Sequence, residues 1–189
     1  MNERLIYKLL ESEQTVFSIN EIAIIGEETD AVNLKNKINY YTKSGLLLNI
    51  RKGFYAKRNY NIEEFACKLY APTYISLEYV LQKEGVVFQY SSEITSVSNL
   101  SRVITVDKFK IKYRKVKDSL LLNPLGIRRL ENGINIATPE RALLDSLYLN
   151  KSGYFDNTAR LDFDLIKKML EIYQSKAFLQ LYNKTIKHV

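Results

Sequence analysis

Three glycines, Gly26, Gly45 and Gly53, cut the first sixty residues into pieces that suit only short helices and a hairpin. Leu5, Ile6, Leu9 and Leu10 recur at helical spacing, which predicts a helix over residues 3–12 with one buried face. A second helix opens at Ser18-Ile19-Asn20-Glu21: Ser18 can accept from the amide three residues on, Glu21 can reach back, and Phe17 with Ile22 form the hydrophobic staple. Gly26 is expected to end it. Glu27 to Asp30 then make a polar turn, and Asp30 or Thr29 caps a third helix that runs to about Ser44 on the core stripe Leu34, Ile38 and Tyr41. Past Gly45, Leu46 to Ile50 favour a strand, Arg51-Lys52-Gly53 form a basic turn, and Phe54-Tyr55-Ala56 return as a second strand.

Charge gives this outline a direction. From Ala31 to Asn61 there is no acidic side chain, while Lys35, Lys37, Lys43, Arg51, Lys52, Lys57 and Arg58 all fall there. An ordinary surface intersperses both signs. The core stripe of the third helix turns Asn33, Lys35, Asn36, Lys37, Asn39, Tyr40 and Lys43 toward solvent. Three short helices followed by a hairpin make a winged helix-turn-helix, whose exposed third helix fits a major groove about 12 Å wide. Double-stranded DNA is therefore the expected partner, with Lys37 and Asn36 the first candidates for base edges. Arg51, Lys52, Lys57 and Arg58 are expected to grip the flanking phosphates. The whole chain, with 28 basic and 21 acidic residues and a net charge of +7, suits a polyanionic partner.

Residues 61–189 are expected to form a second domain, so that the fold class is α+β: a winged helix over 1–60, then a small, mostly antiparallel sheet flanked by helices. Phe65, Ala66 and Leu69 predict a helix closed by Ala71-Pro72; Leu77, Val80 and Leu81 predict another that ends at Gly85. Strand-like runs lie at Ile94 to Val97, Val103 to Val106, Phe109 to Val116, Leu120 to Leu122 and Ile134 to Ala137. Thr138-Pro139-Glu140 is a cap followed by a first-position proline, and two more amphipathic helices are expected around Ile166, Met169 and Tyr173 and around Phe178 and Tyr182. In Lys108-Phe109-Lys110-Ile111-Lys112-Tyr113-Arg114, period two collects Lys108, Lys110, Lys112 and Arg114 on one face. Such a ribbon suits a second polyanion contact or an acidic protein; equally, it suits a strand whose lysines discourage edge pairing.

Three stretches, Arg51-Lys52-Gly53-Phe54-Tyr55-Ala56, Tyr74-Ile75-Ser76-Leu77-Glu78-Tyr79-Val80-Leu81 with Gly85 after it, and Ala137-Thr138-Pro139-Glu140-Arg141-Ala142-Leu143-Leu144-Asp145, occur in this order. Together they resemble the AbiEi family of antitoxins from bacterial type IV toxin-antitoxin systems, with fitting order and spacing from about residue 3 to residue 150. Members commonly carry Ala where Val80 stands, and often an aromatic residue or His near Lys83 and Glu84. The resemblance implies a winged helix that represses its own operon. It also implies a C-terminal domain that opposes a nucleotidyltransferase-like toxin encoded alongside, without a stable complex.

Enzymatic readings find little to build on, and no catalytic residue, metal or cofactor is expected. His188, the single histidine, lies one residue from the end, where a His-based nucleophile pair is not expected. The lone Cys67 lies in an apolar helical stretch and is expected to be a buried thiol rather than a disulfide or zinc ligand. The seven glycines stand singly, with no phosphate-binding loop. Asp162 and Asp164 precede an amphipathic stretch and are expected to cap it. A metal-dependent nuclease would have to draw on Glu93 and Asp107 with Lys110. No apolar run approaches the roughly 18–20 residues of a membrane helix, and Met1-Asn2-Glu3-Arg4 leads straight into the first amphipathic pattern, so a cytoplasmic location without membrane contact is expected. The alternative is a protein-interaction module whose second domain recognises a toxin or its target, with DNA binding secondary.

Overall fold

Local capping sets the first elements. In the computed structural model, which describes residues 4–151 and 153–186, the first helix is Arg4–Glu11 (α1), and Ser18 caps Ile19–Gly26 (α2) with Glu21 in a complete capping box. His188 and the first residue of the helix expected over 3–12 lie outside the described residues. Asp30 caps Ala31–Lys43 (α3) by accepting from the amides of Val32 and Asn33. Gly26 is not the left-handed terminus of α2: Glu27 takes that conformation, at φ 53°. Gly26 instead leaves room for Leu5, whose Cδ1 would lie 2.9 Å from an added Cβ.

The hairpin expected after α3 is Leu48–Arg51 (β2) and Phe54–Ala56 (β3), turning at Gly53 with φ +82°. A strand that the sequence did not suggest, Val16–Ser18 (β1), pairs antiparallel with β3 and completes a sheet of order β1-β3-β2. This sheet is a wall shared by two cores. Phe17 joins Leu5, Leu9, Ile22, Leu34, Ile38 and Tyr41 on one side; Val16 and Ala56 join the larger core of the rest of the chain on the other.

The larger core begins at Ile62–Leu69 (α4), capped by Asn61. Glu64, fully buried, accepts from the Thr15 amide at 2.9 Å, the Thr15 hydroxyl at 2.8 Å and the Val16 amide at 3.1 Å. Lys68, one turn on, donates to the Val16 carbonyl at 2.6 Å and to Glu21 at 2.8 Å. Helix α4 is thereby fastened to β1 and α2, across the boundary expected at residue 60.

Beyond α4 come Thr73–Ile75 (β4), Glu78–Lys83 (α5), Glu93–Ser98 (β5), Arg102–Val106 (β6), Phe109–Lys115 (β7), Asp118–Leu121 (α6), Ile127–Arg129 (β8) and Asn135–Ala137 (β9). Pro139–Asn150 (α7), capped by Thr138, Phe163–Leu170 (α8), capped by Asp162, and Lys176–Ile186 (α9) close the chain's described part. The protein is α+β, and its six-stranded sheet has the order β6-β7-β5-β4-β9-β8. That sheet is mixed rather than mostly antiparallel. The β6–β7 hairpin sets β7 beside β5, and the β8–β9 hairpin sets β9 beside β4, so both of those pairings are parallel. Leu120 to Leu122, expected as a strand, belong to α6 and its cap, because three successive leucines carry no period of their own.

Helix α4 covers one face of the sheet, where Tyr113 donates to the Ala66 carbonyl at 2.9 Å. On the other face, α7 brings in a buried ion pair. Arg141 and Asp145, both fully buried, meet at 3.2 Å. Asp145 also accepts from Tyr173 at 2.7 Å, Ser76 at 2.8 Å and Tyr74 at 3.0 Å. Arg141 donates to the carbonyls of Leu120 and Leu125, each at 2.8 Å, and to Tyr74 at 2.9 Å. Gly126 admits this network: at φ +77°, a Cβ there would stand 2.6 Å from Met169 Sδ and 2.9 Å from Arg141 Cβ. Cys67 is buried as expected, and burial pushes its thiol up to about 11.

Removing one member of a fully desolvated pair strands the other. Asp145→Ala is expected to lower unfolding free energy by about 3–5 kcal/mol, read as a reduced urea midpoint. Asp164→Ala, at an exposed ion pair, should stay within about 0.5 kcal/mol. Equal midpoints for the two variants would show that the Arg141 network does not hold the second core together.

Candidate nucleic-acid interface

The buried stripe of α3 is Leu34, Ile38 and Tyr41. At 3.6 residues per turn, the line opposite runs through Val32, Asn36, Asn39 and Lys43, with Tyr40 and Lys35 on its flanks. All six are exposed, Val32 at 68% and Tyr40 at 47% among the large apolar side chains. No carboxylate interrupts this line.

Two of the residues expected to face DNA are taken up elsewhere. Glu28, in the turn before α3, accepts from the Asn33 side-chain amide at 2.9 Å and pairs with Lys37 at 2.5 Å. Lys37 is half-buried, and this contact holds the Glu28 carboxyl below its ordinary range. The expectation that Lys37 is an uncompensated base reader is corrected by an acid lying just outside the acid-free segment. Asn33 is committed to the same carboxylate.

The basic residues around the hairpin also divide. Lys57 donates to the carbonyls of Leu10 at 2.9 Å and Ser12 at 2.5 Å, so its ammonium closes the end of α1 rather than standing free for a phosphate. Arg51 is half-buried opposite Phe54, whose ring packs on Phe65 of α4 at 5.4 Å. Burial pushes the Tyr113 hydroxyl up, neighbouring Cys67 and Tyr70 add to the rise, and the Arg51 charge opposes it. Lys52 is exposed at the tip, beside Gly53 with open space around it. The Gly53 carbonyl accepts from the Ile19 amide at 3.0 Å, fixing the turn against the start of α2. Arg58 is exposed and lies over Gly45, its Nη2 3.4 Å from where a Cβ would stand, next to the last turn of α3 and Lys43.

No protein-family model matches this chain, and no curated protein matches it.

The cationic strand alternates as expected, with Ile111 and Tyr113 buried and Lys110, Lys112 and Arg114 on the other face. It lies between β6 and β5, so guarding a sheet edge is not its role. Lys110 pairs with Glu93, and Arg114 donates to Asn150 at 3.0 Å and to the Leu149 carbonyl at 3.3 Å. Lys108 stands 5.5 Å from the Phe109 ring centre. Asp107 accepts from Tyr60, whose phenol is pushed up by burial and by that carboxylate. Glu93 and Asp107 thus answer to different partners. Asp162 accepts from the amides of Asp164 and Leu165, the capping role expected of it. Among the described residues, no group of three or more His, Cys, Asp or Glu side chains stands together, and no helix is long and apolar enough to cross a membrane.

Val32 was not singled out by sequence reasoning. Its signal was a β-branched residue off the core stripe of a helix, where it gains nothing from packing.

The Glu28–Lys37 pair contributes stability above the unfolded carboxyl value of 4.5, and that contribution is lost as pH falls through the lower folded value. Glu28→Gln weakens the hold on Lys37 wherever the wild-type carboxyl is ionised. Its elution from immobilised heparin is expected to move to higher salt, with a salt slope steeper by up to about one unit. Lys57→Met should leave that slope unchanged while lowering stability. Elution of Glu28→Gln at the wild-type position would show that Lys37 does not reach a polyanion.

Proposed function

We propose that this chain is a sequence-specific DNA-binding regulator in which residues 1–60 act as a winged helix-turn-helix: α2 and α3 form the helix-turn-helix and β2–β3 the wing. The observation that carries the reading is the outer line of α3, which has hydrogen-bonding and basic side chains, no carboxylate, and no packing role inside the protein. Lys35 and Lys43 on the helix, Lys52 on the wing and Arg58 beside Gly45 are the cations left for phosphates. Asn36, Asn39 and Tyr40 are left for the groove. The three-stranded sheet and the Glu64 clamp hold this helix on a rigid support, which fixes an approach angle to the duplex.

We further propose that the regulator is an AbiEi-like antitoxin of the cytoplasm that represses its own promoter and opposes a nucleotidyltransferase-like toxin. The resemblance supports this through the second core. Thr138 caps α7, Arg141 and Asp145 form the buried network, and Gly85 ends α5 with φ +70°, so two of the three shared stretches are ones that build the second half. They speak for a shared architecture, while the promoter contact rests on α3 and the wing.

Excision of residues 1–60 would bare Val16's partners and strip Glu64 of its Thr15 and Val16 donors and Lys68 of Val16 and Glu21, so point variants in the full chain are the cleaner test. Lys52→Ala with Arg58→Ala is expected to weaken binding to all duplexes alike and to reduce the slope of log affinity against log salt by about two units, roughly 0.9 for each phosphate that is no longer neutralised. An unaltered slope removes the wing from the interface. In cells carrying the neighbouring gene, the same double variant should derepress the promoter and still neutralise the toxin; loss of both together would assign the two activities to one surface.

A further inference from the structure

We infer that α3 reads adenine–thymine pairs in the major groove, with Asn36 and Asn39 as the adenine readers and Val32 against a thymine methyl. The inference rests on the DNA-binding reading above and names the class of duplex that this surface prefers.

The argument starts from which side chains remain. Guanine is read in the major groove mostly by arginine or lysine on O6 and N7, adenine by the paired donor and acceptor of an asparagine or glutamine amide on N7 and N6. Helix α3 contains no arginine. Its most central lysine, Lys37, is held by Glu28 at 2.5 Å. Lys43 lies in the last turn, whereas a recognition helix presents its N-terminal residues to the base edges. Lys35 stands on the flank of the outward line, where a groove wall and its phosphates lie.

Asn36 and Asn39 occupy the centre of that line, three residues apart on one face. Both are exposed, and among the described residues neither side-chain amide takes a hydrogen-bond partner. Asparagine is a poor helix former because its side chain competes for backbone groups. Asn33 has a structural reason for its place, its bond to Glu28. Asn36 and Asn39 have none inside the protein, nor does Val32, one turn before Asn36 and 68% exposed. A valine methyl set beside two amides complements the thymine methyl of an adjacent A·T pair.

The test uses the full-length protein and duplexes recovered from a randomised pool by repeated binding and elution. The recovered sites are expected to carry A·T pairs at two or more neighbouring positions, and exchange of each for G·C should weaken binding roughly 5- to 150-fold. Replacing the adenines by 7-deazaadenine removes only the N7 acceptor and is expected to weaken binding, as is uracil in place of thymine. Asn36→Ala should lose discrimination at one position. Sites centred on G·C, or recovered sites indifferent to 7-deazaadenine, overturn the adenine reading and leave duplex binding standing. Failure to bind any duplex at low salt overturns the DNA-binding reading itself, and this inference with it.

Discussion

A carboxylate sealed from water, that of Glu64, decides how the two halves of this protein meet. An ionised group in that position is tolerated only when every lone pair finds a donor. Here the donors are the backbone and hydroxyl of Thr15, the amide of Val16 and the ammonium of Lys68. All but the last belong to the entry of β1, so the demand of one buried charge fixes where the first strand runs. β1 then pairs with β3 and turns Phe17 and Val16 to opposite cores. The hairpin, whose tip leans on α2, inherits its position from that strand.

The second half solves a similar problem with different residues. Arg141 and Asp145 lie one helical turn apart on α7, and their remaining hydrogen-bonding capacity draws in Tyr74, Ser76, Tyr173 and the carbonyls of Leu120 in α6 and Leu125 in the loop after it. Well-packed apolar residues would fill the same space. What the charged pair adds is selectivity, because only one arrangement of β4, α6, the turn near Gly126 and the helix end at Tyr173 satisfies all of its bonds. Nearly every side chain from Thr138 to Asp145 is accordingly cap or core.

Signals that act over three or four residues were legible in the sequence. The capping box at Ser18, the caps at Asp30, Thr138 and Asp162, the stripe of α3 and the alternation of β7 all stand where local chemistry put them. Three of the five three-residue strands were not: β1, β4 and β8 are too short to show a period, and β4 and β8 exist because neighbours in the sheet need partners. Strand direction was also out of reach, since it depends on which member of each hairpin turns inward. The basic surface was legible in composition but not in detail. Sequence shows that Lys37 and Lys57 lie in an acid-free run; it does not show that Glu28 and the end of α1 fold back onto them.

That loss of cations sharpens the proposed interface. With Lys37 and Lys57 engaged and Arg51 half-buried, few charges are left to hold a duplex by electrostatics alone, and the centre of the outer line of α3 is neutral. A surface selected only for attraction to phosphate would place lysine or arginine where Asn36 and Asn39 stand, since either is a better helix former than asparagine. Neutral amides at the most outward positions hold a ligand only through directed hydrogen bonds, which phosphates do not demand and base edges do. In the proposed complex this arrangement would be a division of labour: flanking cations would bring the helix to the groove, and the uncharged centre of α3 would decide where along the duplex it stays.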